Sequence, residues 1–381
     1  MIIYLALFFS ILATYVFFQT KVYRSTIFFV LGFGILALFV GLSDMLGGYD
    51  RYIYGELFDN TADFLRNGGH YVDSIVFLQY PKEIGYVFAN ILISEFSSNR
   101  YIFILCLTVL IYILFFVSFK RHVSNYPLGM ILFMGLLFFF TFTYLRQIIA
   151  VSIGSLAIKY VIDRKLWKFL LCVLAAFSFH NSAIVLLPLY FIPIRKYNIS
   201  TILLILFVCL VFGATGLSNI LFGAFGDMTD TEGRTAGYEN EIEFRIAYIL
   251  EAVFFLFFLL RGHSRIPNDR QQLVLYNMAI IFCAILLFFV KSENGGRISW
   301  YYIIGLIASL CYLLDSSINS KSDKLLIVLV SSFLYLRILL VWGGFLYPYK
   351  SFLSNGVREN DAIYEKYEYD NNYASDKFYR K

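Results

Sequence analysis

The sequence predicts an all-α, polytopic integral membrane protein with about 10–12 transmembrane helices, one pair of them forming a short helical hairpin. Three observations carry that expectation. The 381-residue chain is 60% hydrophobic, 20% aromatic and only 15% charged, with a mean hydropathy of +0.71, so a water-soluble fold would leave apolar surface uncovered. Apolar segments recur along the whole chain, each near the roughly 20 residues with which a helix crosses hydrocarbon. Lys and Arg gather in short connectors (Lys21 and Arg24, Lys120 and Arg121, Arg164 to Lys168, Arg195 and Lys196, Arg261 to Arg270, Lys321 and Lys324). Placing these connectors in the cytoplasm gives one consistent alternation of spans, with the N-terminus outside.

The expected spans are 2–18, 26–43, 101–119, 128–145, 147–162, 169–179, 182–193, 200–222, 245–260, 271–290, 299–314 and 325–342. The first has no basic residue before it and meets its first charge at Lys21, so it reads as a retained span and not a signal peptide. The remaining connectors become external: residues 44–100, the turn at "TYLRQ", the tip at "FHNS", residues 223–244, "KSENGGR" and the C-terminal end. Residues 1–350 thus form a single bundle with external loops 44–100 and 223–244. Within the first loop, Glu83 to Phe96 carries apolar residues at helical spacing. The tail 351–381, rich in Tyr, Asn, Asp and Glu, is expected to be mobile or loosely attached. Cys106, Cys172, Cys209, Cys283 and Cys311 all fall in apolar segments without metal-ligand spacing, and read as small core residues. No 20–50 residue repeat, Walker element or GxGxxG is present. ATP coupling, a duplicated transporter bundle and nucleic-acid binding are therefore not expected.

Ionisable groups near hydrocarbon are costly and by default point inward with a task. "GGYDRYIY", Gly47 to Tyr54, joins Asp50 and Arg51 to Tyr49, Tyr52 and Tyr54, a set suited to sugar stacking and phosphate contact, or to an interfacial aromatic belt. "EIGY" places Glu83 at a helix start beside Tyr86, which a simple dipole match would also explain. "TYLRQIIA" sets Arg146 and Gln147, after Tyr144, in an otherwise apolar run from Leu128 to Ile158. A guanidinium at a tight turn can present a fixed fork to pyrophosphate, or snorkel to headgroups. "ENGGRISWYY" repeats that logic with Arg297, whereas Arg234 and Arg245 are weaker candidates in a solvated loop.

The fifth place is "FSFHNSAIVL", in an uncharged run with basic residues on both flanks. If both flanks are cytoplasmic, the chain turns back at His180. Each arm is then roughly 17 Å long, against about 30 Å of hydrocarbon, so His180, Asn181 and Ser182 face a wet cavity within the protein. The alternative is one continuous span with a buried, hydrogen-bonded histidine. Taken together, the arginines, histidine, carboxylates and tyrosines suit a polyanionic head group joined to sugars.

In this order the motifs "GYDRYIY", "EIGY", "YLRQ" and "FHNSA", with a late external Arg, resemble the EpsG family of Wzy-like polysaccharide polymerases, over most of residues 20–310. The resemblance implies a GT-C-like, metal-independent, inverting glycosyltransferase in the bacterial inner membrane, active at its periplasmic or external face. It implies donor and acceptor glycans on undecaprenyl pyrophosphate, no cofactor, and a chain-length regulator and a flippase as candidate partners. O-antigen, capsule and exopolysaccharide are all open as products. Such chemistry needs a base for the acceptor hydroxyl, for which His180 is the first candidate and Asp50 or Glu83 the alternative. It also needs cations for the leaving pyrophosphate: Arg146 and Arg297, then Arg51, with Gln147 beside them. Tyr49, Tyr52, Tyr86, Tyr144 and Asn181 are the candidate sugar contacts. A lipid-oligosaccharide flippase and a membrane glycan acyltransferase are the rival readings.

Overall fold

The computed structural model describes residues 1–218, 220, 244–292, 294–315 and 321–381. The chain is 76% helical, and no strand occurs among the described residues. Arg100–His122, Leu145–Ile162, Arg270–Phe288, Asn294–Asp315 and Lys321–Val341 are long and apolar enough to cross a membrane, and shorter apolar helices such as Thr26–Gly41 and Ile199–Ala214 accompany them. Side chains such as Trp167, Leu174, Phe207, Leu250, Phe333 and Leu340 stand exposed on the outside of the bundle, a surface that lipid would cover. The protein is a polytopic membrane bundle.

Local chemistry starts the helices where the connectors end. Ser25, Asn99, Asn125, Asn198 and Asp269 each accept a hydrogen bond from a backbone N–H of the first turn they precede. Pro127 sits in such a first turn, where its missing N–H costs nothing. Tyr144 interrupts the helical backbone at φ −89°, ψ 57°, and this turn separates the segment ending at Thr143 from Leu145–Ile162. Leu145–Ile162 then packs between Arg100–His122 and Leu166–Phe177 near the centre of the bundle.

The run around His180 does turn back. Leu166–Phe177 ends, His180 is extended at φ −158°, ψ 125°, and the chain returns as a 3-10 helix Asn181–Leu186 followed by Leu187–Phe191. Phe169 and Tyr190, one from each arm, bring their rings to 5.2 Å, so the arms lie side by side. The "EIGY" helix, Ile84–Ser94, meets this tip: the Gly85 N–H donates to the Ser178 carbonyl at 2.8 Å. A methyl group on Gly85 would collide with Ser178 Oγ and the Phe179 ring, so close backbone approach is what this glycine permits.

Residues 44–100 form a layer of helices over one face of the bundle, here called the loop face. Gly47 turns the chain into Tyr49–Arg66 at φ +114°, a left-handed conformation pressed against the backbone of Phe142. The expected 223–244 loop, and Arg234 with it, lies outside the described residues.

The expectation of a loose tail is corrected. Residues 351–381 dock on the loop face, where Phe352 stacks on Tyr101 at 4.9 Å and Tyr373 is fully buried. Arg100, itself buried, donates to Asp59 at 2.7 Å and to Glu368 at 2.9 Å. Lys377 and Lys350 both pair with Asp44, at 3.0 and 2.8 Å. Polar composition suggested a segment with little to bury, but its charges find buried partners on the loop face and aromatic rings such as Phe352 and Tyr373 find a core. Covering Phe352 alone contributes roughly 1.5–3 kcal/mol.

Candidate functional site

Between the loop face and the bundle lies a cavity of about 840 Å³. Its wall includes Tyr49, Asp50, Glu83, Tyr144, Arg146, Gln147, His180, Asn181 and Arg297, which come from five separate sequence motifs. Three candidates do not reach it. Arg51 is fully buried on the other side of its helix, where its guanidinium donates to the carbonyls of Phe142 and Val40 at 2.9 and 2.8 Å. Tyr52 donates to Asp361 of the tail at 2.7 Å, and Tyr86 is wholly buried behind the wall. Helical phase is the reason: at 3.6 residues per turn, Asp50, Ile53 and Tyr54 share a face, and Arg51 and Tyr52 point away from it. The motif supplies Tyr49 and Tyr54 to the cavity, and Arg51 and Tyr52 to the scaffold.

Arg146 pairs with Glu83, the N-cap residue of Ile84–Ser94. Its guanidinium lies 3.9 Å from the Tyr80 ring centroid, and within 6 Å of those of Tyr54 and Tyr86. An Arg in an aromatic box is held in place both by cation–π attraction and by its carboxylate. Tyr80 had no signal in the sequence, and Tyr54, though part of a singled-out motif, was not among the candidate sugar contacts.

Arg297 is held differently. It lies in the short helix Asn294–Ser299, donates from Nε to Gln147 Oε1 at 2.8 Å, and has Tyr144 beneath it at 4.5 Å. Gln147 Nε2 in turn donates to the Arg297 carbonyl at 3.1 Å. The reciprocal clamp fixes the plane of the guanidinium while its two terminal nitrogens make no hydrogen bond among the described residues. That leaves a two-pronged donor edge, the geometry that suits phosphate oxygens.

His180 closes a hydrogen-bonded chain. Its Nδ1 lies 2.7 Å from Ser182 Oγ and accepts from the Ser182 backbone N–H at 3.3 Å, and Ser182 Oγ is 2.9 Å from Tyr301 OH. A backbone N–H can only donate, so Nδ1 is the acceptor in that contact. Asn181, 8% exposed, has an amide oxygen without a partner among the described residues.

Asp50 opens Tyr49–Arg66, and no hydrogen bond or ion pair engages its carboxylate among the described residues. Burial raises its pKa above the ordinary carboxylate value, with Arg297 and Arg146 pulling it back down. Glu83 is already engaged in the ion pair with Arg146. Of the three candidate bases, Asp50 therefore combines an available lone pair with raised basicity.

The cavity continues past this ring to Leu136, Phe282, Ile303, Leu334 and Ile338, side chains of the spanning part of the bundle. Glu251 and Arg337 line it there, each inside an apolar helix, Ile246–Arg261 and Lys321–Val341. A single charge within each apolar run was the available signal, and both were read as plain spans. Arg245 also lines the wall. Among the described lining residues, four arginines (Arg146, Arg245, Arg297, Arg337) face three carboxylates (Asp50, Glu83, Glu251), so cationic side chains outnumber anionic ones by one.

The family model described as "EpsG family" matches residues 26–351 of the chain. No curated protein and no solved structure matches it.

Proposed function

The chain belongs to the EpsG family, a family of Wzy-like polysaccharide polymerases, and from that premise we propose that it joins oligosaccharide repeat units carried on undecaprenyl pyrophosphate. The loop face is external, periplasmic in a cell with two membranes. A hydroxyl at the non-reducing end of one lipid-linked unit attacks the anomeric carbon of the growing glycan. The bond from that carbon to the pyrophosphate oxygen breaks, the pyrophosphate leaves with the electron pair, and the configuration inverts.

Asp50 takes the proton of the attacking hydroxyl, its burial bringing its pKa closer to the working pH. Arg297 meets the developing charge on the pyrophosphate with its free edge, and Arg146 adds a second positive centre while holding Glu83. His180 donates from Nε2 to a substrate oxygen, and Tyr49, Tyr54 and Tyr144 offer faces to sugar rings. The polyprenyl chain lies along the inner part of the cavity, against Leu136, Phe282, Ile303, Leu334 and Ile338. One observation carries this reading: Asp50, His180, Arg146 and Arg297, scattered over some 250 residues of sequence, converge on one net-cationic cavity that passes from polar to apolar walls.

The test is to incubate the purified protein with a defined undecaprenyl-pyrophosphate repeat unit and separate the products on a gel. A ladder is expected from the wild type and none from Asp50→Asn or Arg297→Ala, at equal protein level. His180→Ala and Arg146→Ala should shorten or abolish the ladder. Intact substrate with the wild type, together with its movement across a vesicle membrane, would favour the flippase reading instead.

A further inference from the structure

We propose that the C-terminal tail is part of the glycan-binding face: Tyr367 completes, with Tyr49, an aromatic ledge at the cavity mouth that stacks a sugar ring remote from the reacting carbon. The ligand's identity rests on the polymerase reading above; the ledge itself rests on geometry. Tyr49 lines the cavity and is 51% exposed, and the Tyr367 ring stacks on it at 5.6 Å with an interplanar angle of 27°. The C–H face of a pyranose is apolar and packs on such flat, stiff rings with little loss of side-chain freedom.

The ledge is preorganised. Tyr52, Glu56, Asp59 and Asp63 recur every three or four residues, forming one stripe of Tyr49–Arg66. Tyr52 grips Asp361, Asp59 accepts from Tyr373 and Asp63 pairs with Arg380, while Arg100 bridges Glu56 and Asp59 to Glu368. The same helix therefore shows Tyr49 and Asp50 to the cavity on one side and clamps the tail on another. Tyr367 lies next to the clamped Glu368, so its position over Tyr49 is fixed from the back.

The experiment uses the full-length protein in lipid nanodiscs, with Tyr367→Ala, Tyr367→Phe and, as a control, Tyr369→Ala at a neighbouring exposed ring. On the lipid-linked repeat unit, Tyr367→Ala is expected to raise KM about fivefold to tenfold with kcat within about twofold, and Tyr367→Phe to restore KM. Tyr369→Ala should behave as wild type. Binding of the lipid-free repeat-unit oligosaccharide, followed by saturation-transfer NMR, should lose the contact to one sugar ring in Tyr367→Ala. An unchanged KM and an unchanged NMR contact would overturn the ledge, and an equal fall of kcat in the Ala and Phe variants would reduce Tyr367 to scaffold. A wild type that makes no ladder while still showing the ring contact would sink the polymerase reading and keep the ledge.

Discussion

Replacing Gln147 with leucine isolates the element that aims Arg297. Leucine is close in size and removes three hydrogen bonds: Nε of Arg297 to Oε1 at 2.8 Å, Nε2 to the Arg297 carbonyl at 3.1 Å, and a long one from Nε2 to Ser182 Oγ at 3.5 Å. The first engages a charged donor, a class worth about 1.5–3 kcal/mol. If that energy is spent holding the guanidinium plane for the departing pyrophosphate, its loss lowers kcat/KM roughly ten- to hundredfold. The loss should appear in kcat more than in KM, because charge on the leaving group develops only in the transition state. Tyr144 continues to support the guanidinium from below, so the arginine stays in the cavity and the protein stays folded. The assay is initial rate of polymer formation from a defined lipid-linked repeat unit, alongside thermal unfolding in the same nanodiscs. Gln147→Leu with unchanged kcat, beside an inactive Arg297→Ala, would refute the positioning argument. Full activity in Arg297→Lys would refute the need for a guanidinium fork altogether.

Other expectations follow from the same geometry. Asp50→Asn should lower kcat/KM by about 10²–10⁴-fold, the usual worth of a positioned base. Because burial raises the Asp50 pKa, wild-type kcat/KM should climb with pH through a value above the ordinary carboxylate range, and that acid limb should vanish in Asp50→Asn. Arg146→Met strands the buried Glu83 carboxylate and should destabilise the protein by about 3–5 kcal/mol, seen as a lower unfolding temperature; adding Glu83→Gln should recover a large part. Gly47→Ala forces a side chain into a left-handed backbone against Phe142 and should cost about 1–3 kcal/mol in the same unfolding measurement.

The sequence reading located the motifs better than the roles inside them. Arg146, Gln147 and Arg297 stood out because a charge or amide in apolar sequence is expensive, and that argument needs no coordinates. Glu251 and Arg337 obey the same rule and could have been found by it. Arg51 and Tyr52 were grouped with Asp50 because they are adjacent in sequence; which side of Tyr49–Arg66 faces a cavity depends on what packs behind the helix. The pairing of Arg146 with Glu83, 63 residues apart, and of Arg297 with Gln147, 150 residues apart, had no local signature.

By itself the sequence determined the membrane bundle, the breaks at Tyr144 and His180, and the side on which polar groups gather, because hydropathy, basic flanks and helix length act locally and sum along the chain. Only the tertiary structure decided which polar groups meet. It turned Arg51 into a strut and set Asp50 in the cavity wall with no hydrogen-bond or ion-pair partner among the described residues. It bound a polar tail to the loop face, because Lys377 of the tail meets Asp44 there and Glu368 meets Arg100, itself held by Glu56 and Asp59, in a buried network. Such long-range pairing depends on how charges are brought together and desolvated, a property of the packed chain and of no segment of it.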